Sequence, residues 1–246
     1  PGPAGGTERG RLCNILRGAA PGSVDFSHGN PALALIGFPC LRGSRQGFIM
    51  ADRETIEAYA ANIEKYRNLV TKQGGNSRLE GFLDRLQPGA AILDLGCGVG
   101  DSAARMRDAG FTVSCMDASP DMAAMAREQH GLDVEVTSFD ELAAKAAYDA
   151  VWASFSLLHA ARAEMPANLS RIHRALRPGG MFYMGLKTGA HEARDAAGRF
   201  YAYFGEDELV AMLGTAGFTP VAIEEDSMVG LLGHPEACIH ITSRLD

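Results

Sequence analysis

The chain has 246 residues, 46% of them hydrophobic, and a formal charge of −7 at neutral pH. That is enough apolar material for one sizeable α/β core. The charge is uneven: residues 1–49 hold five arginines and two acids, a net of +3, which leaves −10 for residues 50–246 and argues against nucleic acid as a partner of the folded part.

Residues 1–49 carry ten of the 29 glycines, five of the 11 prolines and none of the ten methionines. Such a composition buries little apolar surface, so the segment is expected to be disordered. It reads either as a flexible tail or as residues upstream of a natural start at Met50, with the apolar patch from Ala32 to Phe38 as a counter-signal. The domain proper is expected over residues 50–246. It opens with TIEAYAANIEKYRNLV, where Ile56, Tyr59, Ile63, Tyr66 and Leu69 recur at helical spacing and predict one amphipathic helix. A second helix is expected from Ser77 to Leu86, stopped by Pro88-Gly89.

The most informative run is AAILDLGCGVGD, residues 90–101. Ala90 to Leu93 read as a strand, Gly96, Gly98 and Gly100 as a tight turn, and Ser102 to Met106 as a helix behind it. Alternate glycines let a ligand approach the peptide groups closely. A nicotinamide-dinucleotide loop needs a third glycine at position 101, where this chain has Asp, an acid that repels a pyrophosphate at a helix N-terminus. A ligand carrying a cation fits better, with Asp94 to receive it.

Further on, FTVSCM (111–116) reads as a strand ending in Asp117, 23 residues beyond Asp94. TSFDEL (137–142) follows as a loop, and YDAVWASFSLLHA (148–160) as a strand with its loop. RIHRALRPGGMFYMGLKTG (171–189) reads as a helix, a Pro-Gly-Gly turn and a strand. The connection LKTGAHEARDAAGRFYAYF (186–204) mixes cations with aromatics, then come the helix EDELVAMLGTAGF and the strands VAIEED and ACIHITS. Cys13, Cys40, Cys97, Cys115 and Cys238 form no C-x-x-C pair, and Cys238 and His240 with His234 read as core or edge packing, so no metal site is expected. No apolar run approaches the ~20 residues of a membrane span, and no secretory signal opens the chain. A soluble, cytoplasmic protein is expected, as a monomer or homodimer.

The glycine turn, Asp117-Ala118-Ser119-Pro120, the 137–142 loop and Leu-Arg-Pro-Gly-Gly at 176–180 stand in an order and spacing that resemble class I S-adenosylmethionine-dependent methyltransferases. The resemblance covers residues from about 78 to the end. It implies a Rossmann-like three-layer sandwich with a seven-stranded, mostly parallel sheet whose last strand is antiparallel. It implies S-adenosylmethionine held by Asp94, Gly96, Cys97 and Gly98, by Asp117 and Ala118 at the ribose, by Ser138 and Phe139 at the adenine, and by Ser154, with S-adenosylhomocysteine as product. In that family an Asp commonly stands at the position of Ser138. The 186–204 connection corresponds to the family's substrate wall, which makes Lys187, Arg194, Arg199 and Tyr203 substrate-binding candidates. Surface pairing of Arg194 and Arg199 with nearby acids is the alternative. Tyr59 and Tyr66 are lid candidates or core residues. His159 and Tyr201 are candidates for the chemistry, and His159 acts as a general base only for an acceptor that arrives protonated.

The expected function is methyl transfer to a small molecule. A protein or RNA methyltransferase and a non-catalytic nucleotide-binding module are the alternatives.

Overall fold

The computed structural model describes residues 52–72 and 77–246, and the expectations for residues 1–49 and Met50 lie outside these. Helices α1 (Arg53–Ala61), α2 (Ile63–Lys72) and α3 (Ser77–Leu83) precede strand β1 (Ala91–Leu95). Then α4 (Asp101–Asp108), β2 (Thr112–Asp117), α5 (Pro120–His130), β3 (Val134–Val136), β4 (Tyr148–Ser154), α6 (Met165–Ala175) and β5 (Leu176–Lys187) follow. A short hairpin, β6 (Glu192–Arg194) and β7 (Phe200–Ala202), leads to α7 (Glu206–Thr215), β8 (Phe218–Val229) and β9 (Pro235–Leu245).

The seven strands of the main sheet lie in the order β3-β2-β1-β4-β5-β9-β8. β1 to β5 pair in parallel, and β9 runs antiparallel to both neighbours. This is the architecture that the resemblance implies. In β1, Ile92, Leu93 and Leu95 are at most 1% exposed, because a central parallel strand is covered on both faces. One face packs on α6 and α7 through Leu169, Ile172, Leu209 and Leu213. The other holds Leu79, Phe82, Met106, Trp152 and Tyr183 beneath α3 and α4. The chain builds β1, β2 and β3 outward and then returns to place β4 on the other side of β1. Ligands of open α/β sheets bind at such a reversal, beyond the carboxyl ends of the strands.

Three expectations are corrected. The single helix over the Ile56–Leu69 stripe is two, broken at Asn62, whose side chain donates to the Ala58 carbonyl at 2.8 Å while its own N–H turns back to Tyr59. Asn competes for backbone groups in this way and interrupts helices. The second helix ends at Leu83, with turns reaching Leu86. The Pro-Gly-Gly turn is a bulge within β5: Leu176 pairs with Tyr148 and Met181 already pairs with Ala150, while Gly179 takes φ +75°. Among the described residues no helix is long and apolar enough to cross a membrane.

Phe82 is 1% exposed and its ring lies 5.2 Å from that of Trp152. Phe82→Ala is expected to lower stability by ~3–5 kcal/mol in urea unfolding. A loss under ~1 kcal/mol contradicts the placement of α3 on the core.

Candidate active site

The turn after β1 is built by its glycines. Gly96, Gly98 and Gly100 have φ of +78°, +55° and +87°, values that Cβ-bearing residues resist. A Cβ on Gly96 would lie 2.3 Å from Cβ of Ser156. The amides of Gly96 and Cys97 donate to the Met116 carbonyl at 2.8 and 3.0 Å, which stitches the turn to β2.

Asp94 is 2% exposed, and its Oδ2 has no hydrogen-bond partner among the described residues. Burial, reinforced by the charge of Asp117, pushes its carboxyl up to about 8. Asp101 in the first turn of α4 has a buried Oδ2 in the same condition. Both acids line a cavity of about 280 Å³. Two orphaned carboxylate oxygens on one cavity are an unmet demand for a cation or donor.

A smaller cavity of about 100 Å³ lies on the other side of the turn, lined by Asp117, Ala118, Met122 and Phe139 among others. Asp117 already accepts from Gly98 N and Ser119 N, each at 2.8 Å. Each carboxylate oxygen keeps a further lone pair for a ligand hydroxyl. Ser138 lines neither cavity. Its hydroxyl turns to Asp140 and its amide to Glu141, as the start of a 3-10 turn.

The two cavities meet at Tyr59, Tyr66, Gly96, Ser154 and Phe155, which line both. Phe155 has φ +55°, a backbone cost of ~1–3 kcal/mol typical of ligand clamps. The two tyrosines come from α1 and α2, with ring centroids 5.3 Å apart and edge to face. α1 is tied down by the β6–β7 hairpin: Arg194 grips Asp52 at 2.7 and 2.8 Å, and Thr55 Oγ accepts from Phe200 N at 2.7 Å.

His159 lines the smaller cavity. Its Nδ1 lies 2.6 Å from the Phe200 carbonyl and must donate, so Nε2 accepts from the Tyr59 hydroxyl at 3.1 Å. Burial, helped by Arg199 and Lys187, pushes its pKa down to about 4. Tyr201 is 3% exposed on the larger cavity, with Lys187 Nζ 3.4 Å over its ring. Lys187 and Arg199 line that cavity too, paired with Glu236 at 2.7 Å and Asp195 at 2.6 Å. Arg194 and Tyr203 line neither cavity: the first is spent on Asp52 and Glu54, and the second stacks on His191 at 4.5 Å. The remaining walls were not anticipated. They include Arg78, Arg105, Trp152, Tyr183, Glu236, His240 and the β8–β9 turn from Met228 to Leu231.

The fold and the glycine turn define a nucleotide-type α/β domain with a cavity on each side of its first loop. Residues 92–180 match the methyltransferase-domain family. A ubiquinone/menaquinone biosynthesis C-methyltransferase of Rubrivivax gelatinosus is 39% identical over 99 residues, 39% of each chain. Cypemycin N-terminal methyltransferase of a Streptomyces species is 32% identical over 164 residues, 63% of this chain and 66% of its own. The chain thus spans less than two thirds of the length of these relatives. In fold, it superimposes with a TM-score of 0.64 at 24% identity on Burkholderia thailandensis 1,6-didemethyltoxoflavin-N1-methyltransferase, solved with its substrate and S-adenosylhomocysteine, covering 78% of this chain and 87% of that one. Over residues 92–180 and in its fold the chain is similar to class I S-adenosylmethionine-dependent methyltransferases. The orphaned acids fit that cofactor, which carries an ammonium and a sulfonium and no phosphate.

With its pKa raised, Asp94 binds a proton in the folded chain that the unfolded chain has lost, so unliganded stability falls as pH rises from ~4 toward 8. A cation beside Asp94 favours the carboxylate and expels the proton. Binding of S-adenosylhomocysteine at pH 7 is expected to release up to one proton, measured by calorimetry in buffers of different ionisation enthalpy. Asp94→Asn abolishes that release. A wild type that releases no proton contradicts this reading of Asp94.

Proposed function

We propose that this chain transfers the methyl group of S-adenosylmethionine to a small-molecule acceptor. The observation that carries the reading is the meeting of two cavities at Tyr59, Gly96, Ser154 and Phe155, one walled for a nucleoside and the other by aromatic and charged side chains. The larger space, about 280 Å³ in all, suits a compact acceptor better than a folded protein or an RNA helix.

When bound, S-adenosylmethionine supplies an electrophilic methyl carbon whose bond to sulfur breaks as the acceptor's lone pair forms the new one. The protein's share is alignment and exclusion of water. Asp117 and Phe139 would hold the ribose and adenine, with Ala118 and Gly98 beside them. Asp94 and Asp101 would meet the ammonium. Tyr59 and Tyr66 cover the turn: a Cβ on Gly98 would lie 3.6 Å from the Tyr66 ring. His159 is neutral and engaged at both nitrogens, so its role is to position Tyr59 rather than to take a proton from the acceptor.

Asp117→Ala is expected to weaken S-adenosylhomocysteine binding by ~1–3 kcal/mol, about 10- to 150-fold in calorimetry. With an acceptor found by screening small-molecule pools against labelled methyl donor, His159→Gln is expected to lower turnover at every pH without rescue in alkali. A loss relieved at high pH, as the acceptor ionises by itself, restores the general base. Saturable binding of a nicotinamide dinucleotide in place of S-adenosylhomocysteine overturns the function.

A further inference from the structure

The larger cavity is lined by charges of both signs: Asp94, Asp101 and Arg105 at the glycine turn and α4, Arg78 and Glu236 elsewhere on its wall, and Lys187 and Arg199, 6% and 4% exposed, beside Tyr201. Both cations bracket one ring: Lys187 Nζ is 3.4 Å and Arg199 Cζ 5.3 Å from the centroid of Tyr201. Two buried cations side by side are costly unless their charge is met. Only Asp195 meets it from behind, whereas Glu236 shares the cavity wall with Lys187. Asp195, in the β6–β7 turn, takes Nε and Nη2 of Arg199 at 2.9 and 2.6 Å and does not line the cavity. Nη1 is left with a 3.4 Å contact to the Tyr59 hydroxyl, long for a hydrogen bond. Glu236 takes one proton of Lys187 at 2.7 Å, the two side chains being 32% and 8% exposed, and the ammonium has two further protons to give.

Resting on the methyl-transfer reading, we propose that Lys187 and Arg199 form an oxyanion-binding subsite for the acceptor, which is a flat conjugated molecule bearing an ionised oxygen, as a carboxylate, phenolate or enolate does. The flatness follows from the walls, which include Phe155, Tyr183 and Tyr201. Tyr183 itself stacks on Trp152 with centroids 3.7 Å apart and a 9° tilt, so the space offers aromatic faces and edges. The anion follows from the two cations, and one of them stands by the junction: Arg199 Nη1 is 3.4 Å from the hydroxyl of Tyr59, which lines both cavities. An acceptor that enters ionised has already left its proton in water. The site then needs no base, in keeping with a His159 whose nitrogens both serve Phe200 and Tyr59.

The test uses the full chain with S-adenosylhomocysteine at saturation, titrated with benzoate, neutral benzamide and cationic benzamidine. Ligand-observed NMR reads binding, with emission of Trp152, the chain's single tryptophan, as a second signal. Benzoate is expected to bind at least tenfold more tightly than benzamide, and benzamidine not at all. Lys187→Met and Arg199→Gln should each erase that preference while S-adenosylhomocysteine affinity stays within about twofold. If Arg199→Gln fails to fold, as judged by circular dichroism, the Lys187→Met comparison decides alone. Equal binding of benzoate and benzamide, or a preference for benzamidine, overturns the subsite. So does a Lys187→Met variant that loses S-adenosylhomocysteine affinity and keeps the benzoate preference, for then the cation serves the cofactor's carboxylate. Failure of the wild type to bind S-adenosylhomocysteine strikes the methyl-transfer reading instead, and the benzoate series without it still decides the anion preference.

Discussion

An unpaired carboxylate oxygen at the end of a central strand constrains everything around it. Asp94 is carried there by β1, whose apolar neighbours are buried on both faces, and Oδ2 of its carboxyl is left without a partner among the described residues where the strand order reverses. Burial of a charge without compensation costs several kcal/mol. The molecule tolerates it here because the charge is either quenched by a proton or met by a ligand. The glycines beyond Asp94 serve the same end, since any Cβ on Gly96 collides with Ser156 and closes the approach.

From that point the site is arranged by charge and by cover. Asp117 is fixed by two backbone amides, which leaves its outer lone pairs for hydroxyls. The cover comes from α1 and α2, and α1 is held less by its own helix propensity than by the β6–β7 hairpin, through Arg194 to Asp52 and Phe200 to Thr55. That hairpin also carries Arg199, Phe200 and Tyr201, so a single element positions the lid, the His159 tautomer and one wall of the larger cavity. Breaking Arg194 from Asp52 would therefore reach the site without touching it.

The sequence disclosed what is local. The glycine turn, Asp94 and Asp117 are read from a dozen adjacent residues and from strand periodicity, whereas the seven-stranded sheet is what the family resemblance implies. Ser138 was assigned by alignment, but its own acids, Asp140 and Glu141, engage it first. The resemblance to the family's substrate wall points Arg194 and Tyr203 toward the substrate, but Asp52 and His191 engage them instead. Arg78, Glu236 and His240 escaped because they come together only when β8 and β9 fold against β5 and α3. No spacing in the chain reports a meeting of residues more than a hundred positions apart. Strand alternation does place Tyr183 and His240 toward one face, yet periodicity cannot tell a buried core face from a cavity wall.

Tyr59 and Phe155 join the two cavities into one continuous path past the glycine turn. A crystal structure with S-adenosylhomocysteine tests it most directly. The account predicts adenine against Phe139, ribose hydroxyls on Asp117, the ammonium on Asp94 and the sulfur at the junction of the two cavities, facing Tyr59 and Ser154. A ligand bound with its amino-acid end away from Asp94, or with its sulfur pointing away from the larger cavity, would contradict it.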